Sequence, residues 1–283
     1  MQTRRKRGHA VKSSSIAAVV LIVIGAIGAP SLAGPSSKKP GRGKAASKPT
    51  VIPWGLNDCD GVIGFSPVSA ESIQPFLPEG FTATVPDDFR AALPPDPRVD
   101  AVLGLEAFRC ADGVGLSGIV PDLEYGSLFT FVEPPAALAD SRYPWSFVKW
   151  DTLVPDAPRQ TALAKRGLPA RLGEAVFFGW AVTPVGIPFD VILRLEEAGN
   201  YGMTGIAAAA TAFDAKFIEY MPGDRGLAQW RTVGRSPGGF AGGGWLSVPS
   251  GSYAAEILGG TEAQAYFLAS EGIDFTEASI TLP

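Results

Sequence analysis

The sequence predicts a mainly β (α+β) single domain, a closed or cone-like β-barrel with a few short helices. Two observations carry that expectation. Ten segments are rich in β-branched and aromatic residues and are bounded by Gly, Pro or Asp, and only three short stretches carry helical signals. With that many strands, closure is the economical architecture, because it removes exposed edges.

Taken in order, the expected strands are residues 62–65, 81–85, 100–110, 128–132, 146–154, 175–182, 189–195, 211–220, 228–233 and 278–282. Ser69 is placed to cap a helical turn through Glu71, Ser72 and Ile73. A second helix is expected from Ala157 to Lys165, stopped at Gly167-Leu168-Pro169, and a third from Thr261 to Ser270, stopped by Gly272. The Leu77-Pro78-Glu79-Gly80 turn ends the first helical turn and delivers the chain into the barrel. We read it as scaffold.

The first acidic residue is Asp58, and the chain before it has the anatomy of an exported protein. A basic start is followed by an apolar run from Ile16 to Ile27 and by a small-residue cleavage site ending at Ala33. The run stops short of the roughly 20 apolar residues that cross a bilayer, so cleavage rather than anchoring is expected. Residues 1–33 are thus expected to be a secretory signal peptide and 34–50 a disordered basic linker, with the folded domain over 51–283. The expected location is secreted or within the cell envelope, where the linker can contact an anionic surface weakly.

From Val51 onward the chain holds 14 Lys plus Arg against 28 Asp plus Glu, a formal charge of −14. That balance excludes nucleic acid as the partner of the folded part and leaves a small molecule as the expected one. Oligomeric state is left open. The two cysteines, Cys59 and Cys110, are expected to pair, as an even number does in an exported protein. Closing a loop of about 50 residues stabilises a fold by about 4 kcal/mol in the chain-entropy model.

The only histidine, His9, lies in the expected signal peptide. Histidine-based triads, zinc sites and proton relays are therefore excluded from the mature domain, and no metal or cofactor is expected. Three motif matches fail on context. Gly113 to Gly118 fits a phosphate-binding pattern but runs into Pro121, so it reads as a hairpin turn. Gly234-Arg235-Ser236-Pro237-Gly238 fits a nucleophile elbow but is followed by GGFAGGG, which reads as a loop. Ser146 and Lys149 fit S-x-x-K, yet they sit in an expected strand, where positions three apart face opposite sides.

Amine chemistry survives this elimination, because a lysine in an apolar pocket needs no histidine. Of the three lysines in the domain, Lys165 ends a helix, while Lys149 and Lys216 lie in expected strands. Lys149 ranks first, since alternation places it on a face with Phe147 and Asp151. Glu106 shares a face with Val102, Phe108 and Cys110, so it is a carboxylate that needs a partner if that face is buried. Arg194, set among aliphatics in VILRLEE, raises the same question.

The order of turns and strands resembles the acetoacetate decarboxylase-like superfamily: Leu77-Pro78-Glu79-Gly80, a long strand, YGSLFTFVEPP, then Gly167-Leu168-Pro169 leading into a strand. The resemblance covers about Val62 to Val182. It implies a cone-shaped barrel around a central cavity and a catalytic lysine pair directly after a Gly-Phe-Pro turn. Here Ala170 and Arg171 stand at that place, so the implied nucleophile is missing there. Arginine forms no Schiff base at neutral pH, but it can hold a carboxylate bidentately.

The sequence therefore ranks first an exported barrel that binds a small, partly apolar ligand in a central cavity, with Arg171, Arg194 and Glu106 as its polar anchors. Ranked second is a Schiff-base decarboxylase or aldolase-like enzyme, a carbon-carbon lyase with Lys149 as nucleophile and Glu106 or Asp151 as its proton-transfer partner.

Overall fold

Strand pairing dominates the computed structural model, which describes residues 50–92, 100–115, 118–154, 156–165, 167–168, 170–223 and 226–282. The expected signal peptide and nearly all of the linker lie outside those residues. In chain order the elements are β1 (Thr50–Val68), α1 (Ala70–Ile73), a 3-10 turn (Gln74–Phe76), β2 (Thr82–Ala83), α2 (Asp87–Ala92), β3 (Ala101–Gly115) and β4 (Gly118–Glu133). There follow β5 (Trp145–Val154), α3 (Ala157–Ala164), β6 (Arg171–Phe178), β7 (Ile187–Leu195), β8 (Gly199–Gly223), β9 (Gly226–Ser247), α4 (Tyr253–Leu258) and β10 (Glu262–Leu282).

One sheet joins all the strands, and part of it closes. The order β4-β3-β1-β10-β9-β8-β5 returns to its start through β4–β5 pairing, which makes a ring. From the far end of β5 the sheet continues through β6 and β7 back to β8. Alternation along the ring strands then generates two cores. The inner one takes residues from every ring strand, among them Phe65, Phe108, Phe129, Phe147, Phe217, Trp230 and Phe275. The outer one packs Leu105, Leu128 and Trp150 against β6, β7 and α4 through Val191, Leu193 and Ile257.

Local signals explain the ends of the elements. Ser69 Oγ accepts the Ser72 N–H at 3.2 Å, capping α1 as expected, and Gly80 takes a positive φ of 83° in the turn that follows. That turn leads into a strand of only two residues, Thr82–Ala83, shorter than the expected 81–85. α2 was not expected; it sets Phe89 against Phe65 and Phe131, each with ring centroids 4.7 Å apart, as part of the inner core.

Two expectations are corrected. Residues 261–270 form the start of β10, not a helix; the helix lies just before, over Tyr253–Leu258, capped by Ser252 and stopped by Gly259 at φ 69°. β10 is paired on both sides, with β1 and β9, and buries side chains on both faces, so tertiary pairing overrides local helix propensity. The glycine-rich stretch after Ser236 is strand rather than loop, since β9 runs unbroken to Ser247. Its glycines permit a close approach: a Cβ on Gly242 would lie 1.9 Å from the Ile206 carbonyl oxygen on β8.

β3 and β4 pair antiparallel as the expected hairpin requires, with Gly115 opposite Gly118, and the turn residues 116–117 lie outside the described residues. Cys59 and Cys110 face each other across β1 and β3 and form the expected disulfide.

Candidate functional site

Lys149 lies within the ring, with no exposed side-chain surface. Register brings its partners there. Glu106 on β3 sits opposite Ser127 on β4, Lys149 opposite Phe129 on β4, and Phe147 beside Glu219 on β8. Lys149 Nζ donates to Glu106 Oε1 at 2.7 Å and stands 2.8 Å from Glu219 Oε1. Ser127 Oγ donates to the same Glu106 oxygen at 2.5 Å, and the ring of Phe129 lies 5.8 Å from Nζ.

This arrangement places two carboxyl groups and one amine in an aromatic interior. Loss of hydration disfavours every charged form. Burial pushes Glu219 well above the usual carboxylate range, and the neighbouring Glu106 adds to that rise against the pull of Lys149. Glu106 is raised by burial too, although Lys149 and Ser127 hold it down. Burial lowers the Lys149 ammonium, with both glutamates opposing the shift. A proton can therefore pass between amine and carboxyl groups at little cost in charge separation, the condition in which a lysine becomes a nucleophile.

Asp151 does not join this cluster. The β4–β5 ladder pairs Leu128 with Trp150 but Gly126 with Leu153, so β5 carries an extra residue, and Asp151 sits in that bulge with φ 48°. The bulge breaks the alternation on which the expected Lys149–Asp151 face rested. Asp151 turns instead to the outer core, where it accepts hydrogen bonds from Arg171 Nε and, at 2.6 Å, from Tyr253 OH. Burial and the Asp151 charge raise the phenols of Tyr253 and Tyr201, keeping both as O–H donors.

The arginines are also outside the ring. Arg171 lines an outer cleft of about 540 Å³ with Asp151, Gln160, Lys165, Glu196 and Glu197. Arg194 is exposed on β7 and donates to Glu174 on β6 at 2.5 Å, beside a second cleft of about 640 Å³. Neither cleft is lined by Lys149, Glu106 or Glu219. Of the expected site residues, Lys149 and Glu106 come together, whereas Asp151, Arg171 and Arg194 do not join them. Lys216 points to solvent.

Sequence reading missed Glu219 and Ser127. The signal for Glu219 was present, because Ala215, Phe217, Glu219 and Met221 alternate as one apolar face interrupted by a carboxylate.

No family model matches the sequence, and no curated protein matches it. Among solved structures, the enduracididine biosynthesis enzyme MppR complexed with the condensation product of pyruvate and imidazole 4-carboxaldehyde aligns with a TM-score of 0.51 at 12% identity, over 81% of this chain and 89% of that one. The same enzyme with HEPES buffer bound gives 0.50 at 12% identity, over 81% and 87%. Acetoacetate decarboxylase from Legionella pneumophila subsp. pneumophila str. Philadelphia 1 gives 0.45 at 12% identity, over 86% and 89%. At such identity the likeness to MppR is one of fold, and the acetoacetate decarboxylase-like resemblance read from the sequence holds at that level.

Proposed function

We propose that this chain binds a small carbonyl compound inside the strand ring and that Lys149 engages it as an amine. The observation that carries the reading is the burial of Lys149 between Glu106 and Glu219 among phenylalanines. A carbonyl ligand is also in keeping with the fold, since the MppR structure contains a condensation product of pyruvate and an aldehyde.

In the proposed step the neutral Lys149 amine attacks the carbonyl carbon. One amine proton passes to the carbonyl oxygen as the carbinolamine forms, a protonated glutamate gives that oxygen its second proton, water leaves, and the resulting iminium is met by the glutamate left ionised. Either glutamate serves as donor, which makes Glu106 and Glu219 the proton-transfer groups.

A second reading is non-covalent binding with Lys149 as a structural ion pair, and the complete burial of its side chain favours it. Export is proposed on separate grounds: the Cys59–Cys110 bond suits an oxidising compartment.

Incubating the domain with aldehydes, ketones and keto acids in the presence of borohydride, then mapping adducts by mass spectrometry, decides between the readings. A reduced imine on Lys149 that is absent from Lys149→Arg establishes the amine role. No adduct across the panel on folded protein overturns it.

A further inference from the structure

The ring interior has more polar atoms than its own contacts satisfy. Trp230 Nε1 and Thr232 Oγ1 on β9 and Trp54 Nε1 on β1 are buried without a hydrogen-bond partner among the described residues, as is Glu106 Oε2. Buried polar groups are paired in most proteins, so several orphans on one inner face call for an explanation in terms of something that binds there.

Register places these groups beside the lysine cluster. Trp230 is directly across from Glu219, and Thr232 is across from Phe217, in the β8–β9 ladder. Directly opposed residues bring their Cβ atoms to about 5 Å, so the indole begins next to the carboxyl group. Trp54 packs against Trp230 with ring centroids 4.8 Å apart. One end of the interior therefore offers an amine and two carboxyl groups, and the adjoining part offers aromatic surface with uncharged N–H and O–H donors.

The balance of charge is equally informative. Lys149 is the only described cation in this interior, and Glu106 and Glu219 already stand against it. Arg171 is held by Asp151 on the outer core, and Arg194 is exposed against Glu174. An anionic ligand would lose its hydration here without gaining a free cation. A neutral ligand avoids that cost, and an oxygen remote from its reactive carbonyl can accept from the indole and hydroxyl donors.

We infer that the ligand class is a neutral aldehyde or ketone with an aromatic or aliphatic body and a second oxygen acceptor, not a keto acid. Trp54, Trp230 and Thr232 form the subsite for that acceptor. This inference rests on the reading of Lys149 as a carbonyl-engaging amine, but it concerns selectivity and can fail separately.

The test uses two size-matched probes, 4-methoxybenzaldehyde and 4-carboxybenzaldehyde, with pyruvate as a third. Binding is followed by tryptophan fluorescence and by borohydride trapping, on the wild-type domain, Trp230→Phe and Glu219→Gln. The expected result is trapping of the methoxy compound on Lys149 with binding at least tenfold tighter than either carboxylate. Trp230→Phe should weaken that binding, and Glu219→Gln should not raise carboxylate binding, since burial already holds the carboxyl group it replaces in its neutral form. Equal or tighter binding of the carboxylates to wild-type protein overturns the inference while leaving the amine reading standing. Tight binding of the methoxy compound with no adduct sustains the selectivity and removes the amine reading. Binding of none of the three overturns both.

Discussion

Lys149 and Asp151 are two positions apart on β5 and point into opposite cores. Lys149 meets Glu106 and Glu219 inside the ring, and Asp151 meets Arg171 and Tyr253 outside it. One bulge residue separates an amine site from an outer-core network, with the outer cleft next to Asp151 and the interior next to Lys149.

Energetic independence follows from that geometry. In a double-mutant cycle, Lys149→Met and Asp151→Asn should add to within about 0.5 kcal/mol, while Asp151→Asn and Arg171→Met should couple by about 1 kcal/mol or more. Urea unfolding of the single and double variants measures both. A Lys149–Asp151 coupling above the Asp151–Arg171 value would mean that the two residues share one site after all.

The glycines of β9 provide a sharper contrast. A Cβ on Gly242 runs into the Ile206 carbonyl, whereas a Cβ on Gly238 meets nothing within 4 Å. Gly242→Val should therefore destabilise the domain by about 2 kcal/mol or more, because backbone must move. Gly238→Ala should stay within about 0.5 kcal/mol of wild type. Thermal unfolding of the two variants checks the pair. Equal tolerance would return this stretch to the loop that its composition suggests.

Those same glycines show how far the sequence could be read. β3, β4 and β5 were legible because their branched and aromatic residues form strands whatever surrounds them. β9 and the start of β10 were not, since glycine and alanine runs take strand form only when a neighbouring strand supplies the pairing. At the site, Glu106 was legible from alternation on β3. Asp151 was misplaced because a bulge inserts one residue that no periodicity announces. Glu219 lay between Ile218 and Tyr220 of the Asp214, Lys216, Ile218, Tyr220 face that drew attention, and so on the opposite side of β8 from Lys216. Arg171 and Arg194 were read as anchors for a ligand, and in the structure they stand against Asp151 and Glu174.

Glu219 makes stability depend on pH in a defined direction. Its folded-state pKa is raised by burial, so between the unfolded value, about 4.3, and that raised value the native state binds more protons than the unfolded one. Its contribution is fully present below the unfolded pKa and is lost as pH rises through the folded one. Glu219→Gln lacks that loss. The variant should gain on wild type as pH rises above about 4.3, by no more than about 1.4 kcal/mol per pH unit. Urea midpoints of both proteins from pH 4 to pH 9 measure the gap, and a gap that is constant with pH would mean that Glu219 is ionised in the fold.

The final prediction separates what Lys149 does for the fold from what it is kept for. Lys149→Met leaves Glu106 without its cation, and breaking a buried pair from one side costs about 3 to 5 kcal/mol. Removing both charges is different, because an apolar replacement of a whole buried pair is often neutral or stabilising. Lys149→Met combined with Glu106→Gln should therefore recover most of the loss in urea unfolding at neutral pH, and the double variant remains measurable even where the single one does not fold. Recovery to within about 1 kcal/mol of wild type would mean that the ring does not need its lysine for stability, leaving engagement of a carbonyl ligand as the reason for burying an amine there. A double variant as unstable as the single one would instead make the Lys149–Glu106 pair a structural element of the ring and favour the non-covalent reading.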